Sequence, residues 1–277
     1  MIPIYVVSMK KDEARRGVLQ AAFDKLDIDF KFIDAVVGKD VSESERAKLN
    51  FSGTDSRKGR LPTDGEIGCS LSHQLIYKDI VQRDEAWSII LEDDAIIDER
   101  FNTFYRALNQ QVLSQNFDTN ALYLLGGQEG VAYQPKVALS RRNKIVLGNG
   151  VIFRRAIKSE GYLFRTCCYM MSKELAEKLL RLFAQDYYIA DEWVYFHRLG
   201  LIEGMYLADF VGHPLELGGS HLEQERLAAI ALKQPMQPDS EGFKKKIKFF
   251  LKSYFKLHLV KALLIRCRVF LYGFRYR

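Results

Sequence analysis

The chain is 277 residues long, 48% hydrophobic and 12% aromatic, with a net charge of +6. That supplies a core for one large domain, or for a domain with an appendage. No stretch approaches the roughly 18 uncharged apolar residues of a spanning helix, and the apolar run before Lys10-Lys11 is too short for a secretory leader. Both are excluded. Cys69, Cys167, Cys168 and Cys267 lack the paired spacing of a cysteine metal motif, so reduced thiols in a cytoplasm are expected. The charge is uneven. Residues 243–277 hold eleven Lys and Arg and no acid, which leaves −5 on the rest of the chain.

In chain order, residues 2–8 read as a strand, with Pro3 tolerable near its start. Asp12 can cap a helix in which Leu19, Ala22, Phe23 and Leu26 recur at helical spacing. Residues 29–36 return as a strand, and this β-α-β order points to an α/β fold with a parallel sheet. Residues 39–60 are polar, with a short helix over 42–49 and then a loop long enough to suggest a function. Thr63 and Glu66 fit a capping box. They would open a helix to about Gln82, with Leu71, Leu75, Ile76 and Ile80 on the core and Ser72, His73 and Tyr77 turned elsewhere.

The stretch Trp87-Ser88-Ile89-Ile90-Leu91-Glu92-Asp93-Asp94 organises the chain. A buried apolar strand runs without transition into three carboxylates, at the strand end where open α/β sheets bind ligands. Three adjacent negative charges repel unless a cation shares them, and oxygen ligands suit Mg²⁺ or Mn²⁺, also gripped by a diphosphate. A solvated acidic turn is the bland alternative. Beyond it, residues 101–113 read as a helix, 121–125 as a strand stopped by Gly126-Gly127, and 144–153 and 165–171 as strands. Ser172 caps a helix carrying Leu175, Leu179, Leu182 and Phe183. An aromatic, acidic segment over 187–193, a last strand over 204–210 and a loop over 211–222 containing His213 and His221 complete the body. Residues 234–242 are a linker by composition. In 243–277 apolar and basic residues alternate at roughly helical spacing, which predicts a membrane-associating tail on anionic lipid rather than a nucleic-acid stripe, with packing against the protein's own body as the alternative.

Four motifs in order carry a resemblance: Ser8 to Arg15-Arg16, Phe32-Ile33-Asp34-Ala35-Val36, Gly65-Glu66-Ile67-Gly68-Cys69-Ser70-Leu71-Ser72-His73, and Ile89 to Asp94. Together they resemble glycosyltransferase family 25, the lipooligosaccharide and lipopolysaccharide biosynthesis transferases, which include bacterial galactosyltransferases. The resemblance is strong over the first 95 residues and looser to about residue 222. It implies a GT-A type nucleotide-sugar fold with a Rossmann-like, mostly parallel sheet over residues 1–233, a divalent metal and a UDP-sugar donor. The expected activity is inverting transfer of a hexose, galactose first, to a lipid-linked oligosaccharide. The expected setting is the inner face of the cytoplasmic membrane of a Gram-negative bacterium.

In that frame Asp94 is the first choice of metal ligand, with His221, or less so His213, completing the set. Glu92 and Asp93 adjoin it, and Glu92 could hold a donor-sugar hydroxyl. Arg15 could reach the diphosphate, and Asp34 the uracil or ribose. Ser8, Ser72 and His73 could point at the donor, and Glu66 could do so beyond its capping role. An inverting transfer needs a general base, for which a carboxylate in a partly apolar setting is suited. Asp191, between Tyr188 and Trp193, fits, with Glu192 as understudy; Tyr187, Tyr188 or Trp193 could stack on a sugar, though core packing is the commoner fate of aromatics. Two rivals remain: a metal-dependent nucleotidyltransferase or other phosphate enzyme, which would usually carry a glycine-rich first turn absent from residues 8–16, and a non-catalytic membrane-docking protein indifferent to Asp94→Ala.

Overall fold

A computed structural model describes residues 1–111, 117–128, 134–214, 225, 263–264, 267 and 273–275. The strands are β1 (Ile4–Ser8), β2 (Lys31–Asp34), β3 (Trp87–Glu92), β4 (Ile96–Ile97), β5 (Ala121–Gly126), β6 (Ala138–Val146), β7 (Ile152–Ala156), β8 (Cys168–Ser172), β9 (Gly204–Gly212) and β10 (Gly273–Arg275). The helices are α1 (Glu13–Leu26), α2 (Glu43–Arg46), α3 (Ser52–Lys58), α4 (Asp64–Gln82), α5 (Glu99–Gln111), α6 (Lys173–Phe183) and α7 (Trp193–Arg198). One sheet orders the strands β10-β6-β7-β9-β5-β8-β3-β1-β2, with β4 on β9.

The apolar strands are buried on both faces, which is why they read as continuous runs. Ile4, Val6, Ile89 and Leu91 pack with Phe23 of α1 and Phe101 and Phe104 of α5. Tyr5, Ile90, Leu122 and Leu124 pack on the other face with Ile76 and Ile80 of α4, Leu175 and Leu179 of α6 and Phe196 of α7. The result is an α/β/α sandwich around a mixed sheet.

The expectation of a mostly parallel sheet is corrected. Only β1–β2, β1–β3 and β5–β9 pair in parallel among the described strands. The pairs β3–β8, β5–β8, β6–β7, β7–β9, β4–β9 and β6–β10 are antiparallel. A parallel pair needs a long crossover, and the helices that supply one cluster early in the chain. Later strands are joined differently. The expected single strand over 144–153 is a hairpin, β6–β7, folded at residues 148–150. β8 then enters antiparallel between β3 and β5.

Thr63 and Glu66 form the reciprocal capping box of α4. That helix is buried differently from its expected face. Ser72, His73 and Tyr77 are buried with Ile76 and Ile80, whereas Leu75 is 43% exposed. The helix meets the backbone after β2 directly: Ser72 Oγ accepts from Val36 N at 2.8 Å and donates to Gly68 O at 2.6 Å. A Cβ on Gly68 would lie 2.5 Å from Val36 O and 2.8 Å from Gly38 N. Gly68→Ala is expected to destabilise by about 2 kcal/mol, since neither contact is with a side chain that can swing aside; urea denaturation checks it.

On the same layer, Asp79 accepts from Lys31 Nζ at 2.7 Å and from the Tyr5 hydroxyl at 2.9 Å, with Arg83 Nε at 2.8 Å. Burial pushes the Asp79 carboxyl up, but the hydrogen bonds from Lys31 and Tyr5 and the charges of Lys31 and Arg83 outweigh it, and the net shift is down. A lowered folded-state value adds stability above the unfolded carboxyl's value of about 3.9, and that stability is lost as pH falls through the folded value. The slope of stability against pH below about 4 should therefore flatten in Asp79→Asn, read by thermal melts across that range.

Candidate active site at the carboxyl edge of the sheet

Topology gathers one edge. β1, β2 and β3 run together, so Ser8, Asp34 and Glu92 end side by side, in the register Ser8↔Asp34 and Val7↔Glu92. β8 runs against β3 with Leu91 opposite Cys168, which brings Thr166 and Cys167 to the same edge. β9 runs on past Phe210 and pairs Gly212 with Ile96, carrying His213 to the residues after β3. Gly126, at φ +145°, lets β5 meet Val211 where a Cβ would strike that residue's carbonyl.

The three carboxylates take different partners. Asp93 accepts from Ser8 Oγ at 2.7 Å and from Arg15 Nη1 at 3.2 Å. Asp94 Oδ2 lies 3.5 Å from His213 Nε2, and its buried Oδ1 has no hydrogen-bond partner. Glu92 Oε1 accepts from the Thr166 hydroxyl. Their protonation is pushed apart. Burial, with Asp94 as neighbour, raises Asp93 despite Ser8 and Arg15. Burial also pushes Asp94 up, but His213, Arg15 and Arg165 outweigh it and the net shift is down. Of the two aspartates, Asp94 is the one shifted toward its ionised form.

His213 is the mirror case, with burial lowering it and Asp94 raising it to a net upward shift. Its Nδ1 is 2.7 Å from Pro214 O, so the Nδ1–H donates there and Nε2 faces Asp94, the tautomer of a metal-ligating histidine. Asp94, Cys167 and His213 offer ligand atoms within 4.8 Å of one another. Burial above all keeps the Cys167 thiol protonated. An ionised carboxylate with an orphaned oxygen, beside an imidazole lone pair, fits a divalent cation.

Ser8, Arg15, Asp93, Asp94 and Glu92 therefore come together at one edge. Asp34 adjoins them through Arg16, which bonds Asp34 Oδ1 at 2.6 Å and Ser8 O at 2.8 Å. His73 reaches the edge from α4, its Nε2 3.7 Å from Glu92 Oε1. Asp191 is linked through Arg165, whose backbone N–H donates to Asp191 Oδ2 at 3.3 Å. Three candidates make bonds that hold the fold. Ser72 clips α4 to Val36. Glu66 serves the capping box and a two-bond pair with Arg60, both at 2.7 Å. Glu192 accepts from Ile189 N and faces Arg57 and Lys58. Tyr187, Tyr188 and Trp193 are core residues, each with its polar atom bonded to backbone. His221 lies outside the described residues; His213, eight positions earlier, is the histidine at Asp94.

The sequence reading missed Arg165 and Thr166. Arg165 holds φ +66°, a conformation bulky residues rarely adopt, donates from Nη1 to Gly127 O at 3.0 Å and places positive charge on Asp94 and His213. Its signal, an arginine just before a buried strand, is too common to mark a site.

Comparison with known proteins places this edge in context. The chain is 27% identical over 181 residues to "Probable inactive glycosyltransferase 25 family member 3" of Rattus norvegicus, covering 64% of this chain and 29% of the relative. It is 29% identical over 185 residues to "Procollagen galactosyltransferase 1-B" of Xenopus laevis, covering 64% and 28%. The chain thus spans under a third of the length of these relatives. A solved glycosyltransferase involved in glycosylation of the major capsid of PBCV-1 superposes with TM-score 0.40 at 9% identity, covering 81% of this chain and 98% of that one. These two and further curated relatives are animal proteins, which overturns the expected setting on the inner membrane of a Gram-negative bacterium. Among the described residues no helix is long and apolar enough to cross a membrane. Residues 1–194 match the family model described as Glycosyltransferase family 25 (LPS biosynthesis protein). With that match spanning most of the chain, including every carboxylate of the edge, the protein belongs to glycosyltransferase family 25.

Proposed function

We propose that the chain transfers a hexose, galactose in the first instance, from a UDP donor to an acceptor hydroxyl with inversion, using Mn²⁺ or Mg²⁺. The observation that carries this reading is Asp94, an ionised carboxylate with a buried, unpartnered oxygen beside His213 Nε2. Asp94 and His213 would hold the ion, which when bound supplies Lewis-acid neutralisation of charge on a departing diphosphate. Arg15 and Arg165 add fixed positive charge at the same edge, suited to phosphate oxygens. Ser8 and Arg15 pin Asp93 and so set the backbone that presents Asp94. Asp34, 57% exposed at the end of β2, is available to a nucleoside hydroxyl. Glu92 stands at the same edge, held there by the Thr166 hydroxyl. Asp191 takes the acceptor's proton on its carboxylate, held in place by the Arg165 N–H.

Galactose is favoured because several relatives are named galactosyltransferases. A lipid-linked oligosaccharide is the acceptor favoured by the basic segment 243–277 and by the family description. Other relatives are named inactive, so activity must be tested on this chain. Thermal melting with a panel of nucleotide sugars, with and without Mn²⁺, is the direct test. A ligand at a hundredfold excess over Kd stabilises by about 2.7 kcal/mol. A Mn²⁺-dependent rise with one UDP-hexose, lost in Asp94→Ala, is expected. No shift with any UDP-sugar would end the reading. Transfer of the bound sugar to a procollagen peptide but not to a lipid-linked oligosaccharide would replace the acceptor.

A further inference from the structure

A second group of metal-ligating side chains lies beside the acidic strand end and has no part in holding the transfer metal. Cys69 and His73 stand four residues apart on α4, so they share one face of the helix. That face meets the end of β3 at Glu92. Glu92 Oε1 is 3.9 Å from Cys69 Sγ and 3.7 Å from His73 Nε2, and the three ligand atoms lie within 4.8 Å of one another.

The histidine supplies the independent sign. His73 is 1% exposed, yet its Nε2 has no hydrogen-bond partner. A buried ring nitrogen left unpaired is costly and calls for a ligand. Its other nitrogen, Nδ1, is 2.7 Å from the Tyr169 hydroxyl, which is 2.9 Å from that of Tyr77. In the tautomer that donates Nδ1–H to Tyr169, with Tyr169 donating to Tyr77, Nε2 presents a bare lone pair beside Glu92. Such an outer hydrogen bond is what fixes a metal-ligating imidazole.

The donor set selects the ion. Thiolate, imidazole and carboxylate together favour a borderline-soft divalent cation over Mg²⁺ or Mn²⁺. Tetrahedral Zn²⁺, with bonds of about 2.3 Å to sulfur and 2.0–2.1 Å to nitrogen and oxygen, sets its donors about 3.3–3.6 Å apart. The two distances to Glu92 Oε1, 3.9 and 3.7 Å, need to close by only a few tenths of an ångström. Thiolate and carboxylate bring two negative charges, which one divalent ion cancels. We propose that Cys69, His73 and Glu92 form a site for Zn²⁺ or a like cation, separate from Asp94 and His213, that ties α4 to the end of β3.

Co²⁺ titration of the full chain, as a spectroscopic stand-in for Zn²⁺, tests the site. A thiolate-to-Co²⁺ charge-transfer band in the near ultraviolet is expected, discharged by added Zn²⁺. Because Cys167 stands by Asp94, the two sites are separable: the band should persist in Cys167→Ser and vanish in Cys69→Ser. No band in the wild type, or a band that persists in Cys69→Ser, overturns the proposal. A second measurement needs no variant. Zn²⁺ should slow iodoacetamide labelling of the half-buried Cys69, read by peptide mass spectrometry, by about tenfold or more, because the bound thiolate is no longer the free nucleophile. Equal concentrations of Mn²⁺ should leave the rate unchanged. Unaltered labelling with Zn²⁺, or equal protection by Mn²⁺, overturns it.

Discussion

Asp94→Asn is expected to lower sugar transfer about a thousandfold while the protein stays folded, because several kcal/mol of charge stabilisation at the leaving group depend on that carboxylate. The substitution keeps the side chain's size and removes its charge, so the buried Oδ1 position is still filled. His213 loses the partner that raises it, and its proton should leave at lower pH. The loss belongs to kcat and kcat/KM together if the charge matters only as the diphosphate departs. The measurement is transfer from the donor that the melting panel identifies, over a range of Mn²⁺ concentrations. If excess Mn²⁺ restores activity to within tenfold of wild type, Asp94 contributes affinity and little else. If activity is unchanged without added metal, the role assigned to Asp94 is wrong.

The largest expected effect on stability comes from a residue outside that edge. Arg57 on α3 donates to Asp186 at 2.6 Å and to both oxygens of Glu192 at 3.2 Å. It also donates to Tyr187 O at 2.9 Å, and its guanidinium lies 3.7 Å from the centre of the Tyr195 ring. The Glu192 side chain is 4% exposed. Removing a partner from a buried charge costs about 3–5 kcal/mol, so Arg57→Ala should lower the melting temperature by about 10 °C. Adding Glu192→Gln and Asp186→Asn should recover part of it, since the cost lies in the stranded charges. Arg57→Lys should recover less than the charge count implies, because an ammonium lacks the planar fork that reaches two carboxylates and stacks on Tyr195. A drop under about 2 °C for Arg57→Ala would show that water reaches the acids and that the cluster is not a clamp.

What could be read from the chain, and what could not, divides by distance along it. The α4 capping box, the buried strand ending in Glu92, and the β-α-β opening each depend on residues a few positions apart, and each stands where expected. The face of α4 was misjudged because helical spacing marks apolar positions, whereas Ser72 and His73 are buried by hydrogen bonds to Val36 and Tyr169, one of them 96 residues away. The sheet's direction failed at β8 for a similar reason: nothing within a five-residue apolar strand says which way its neighbours run. His213 meets Asp94 only because β9 runs two residues past the expected strand over 204–210 and pairs with β4. Arg57 and Glu192 are 135 positions apart, and no local pattern connects them.

The short strand β10 has a consequence for the basic segment. Gly273, Phe274 and Arg275 pair with Ser140, Leu139 and Ala138, and a Cβ on Gly273 would strike the Leu139 carbonyl. Residues 273–275 of the basic segment are therefore part of the same sheet as the body. The expected linker over 234–242 and most of the expected tail over 243–277 lie outside the described residues; of the tail, 263, 264, 267 and 273–275 are described. Cutting the chain at residue 242 would strip the partner from β6 and bare its backbone edge, which invites strand-to-strand aggregation. Replacing the lysines and arginines of 244–268 while leaving 269–277 intact would change the charge of the segment and keep that pairing.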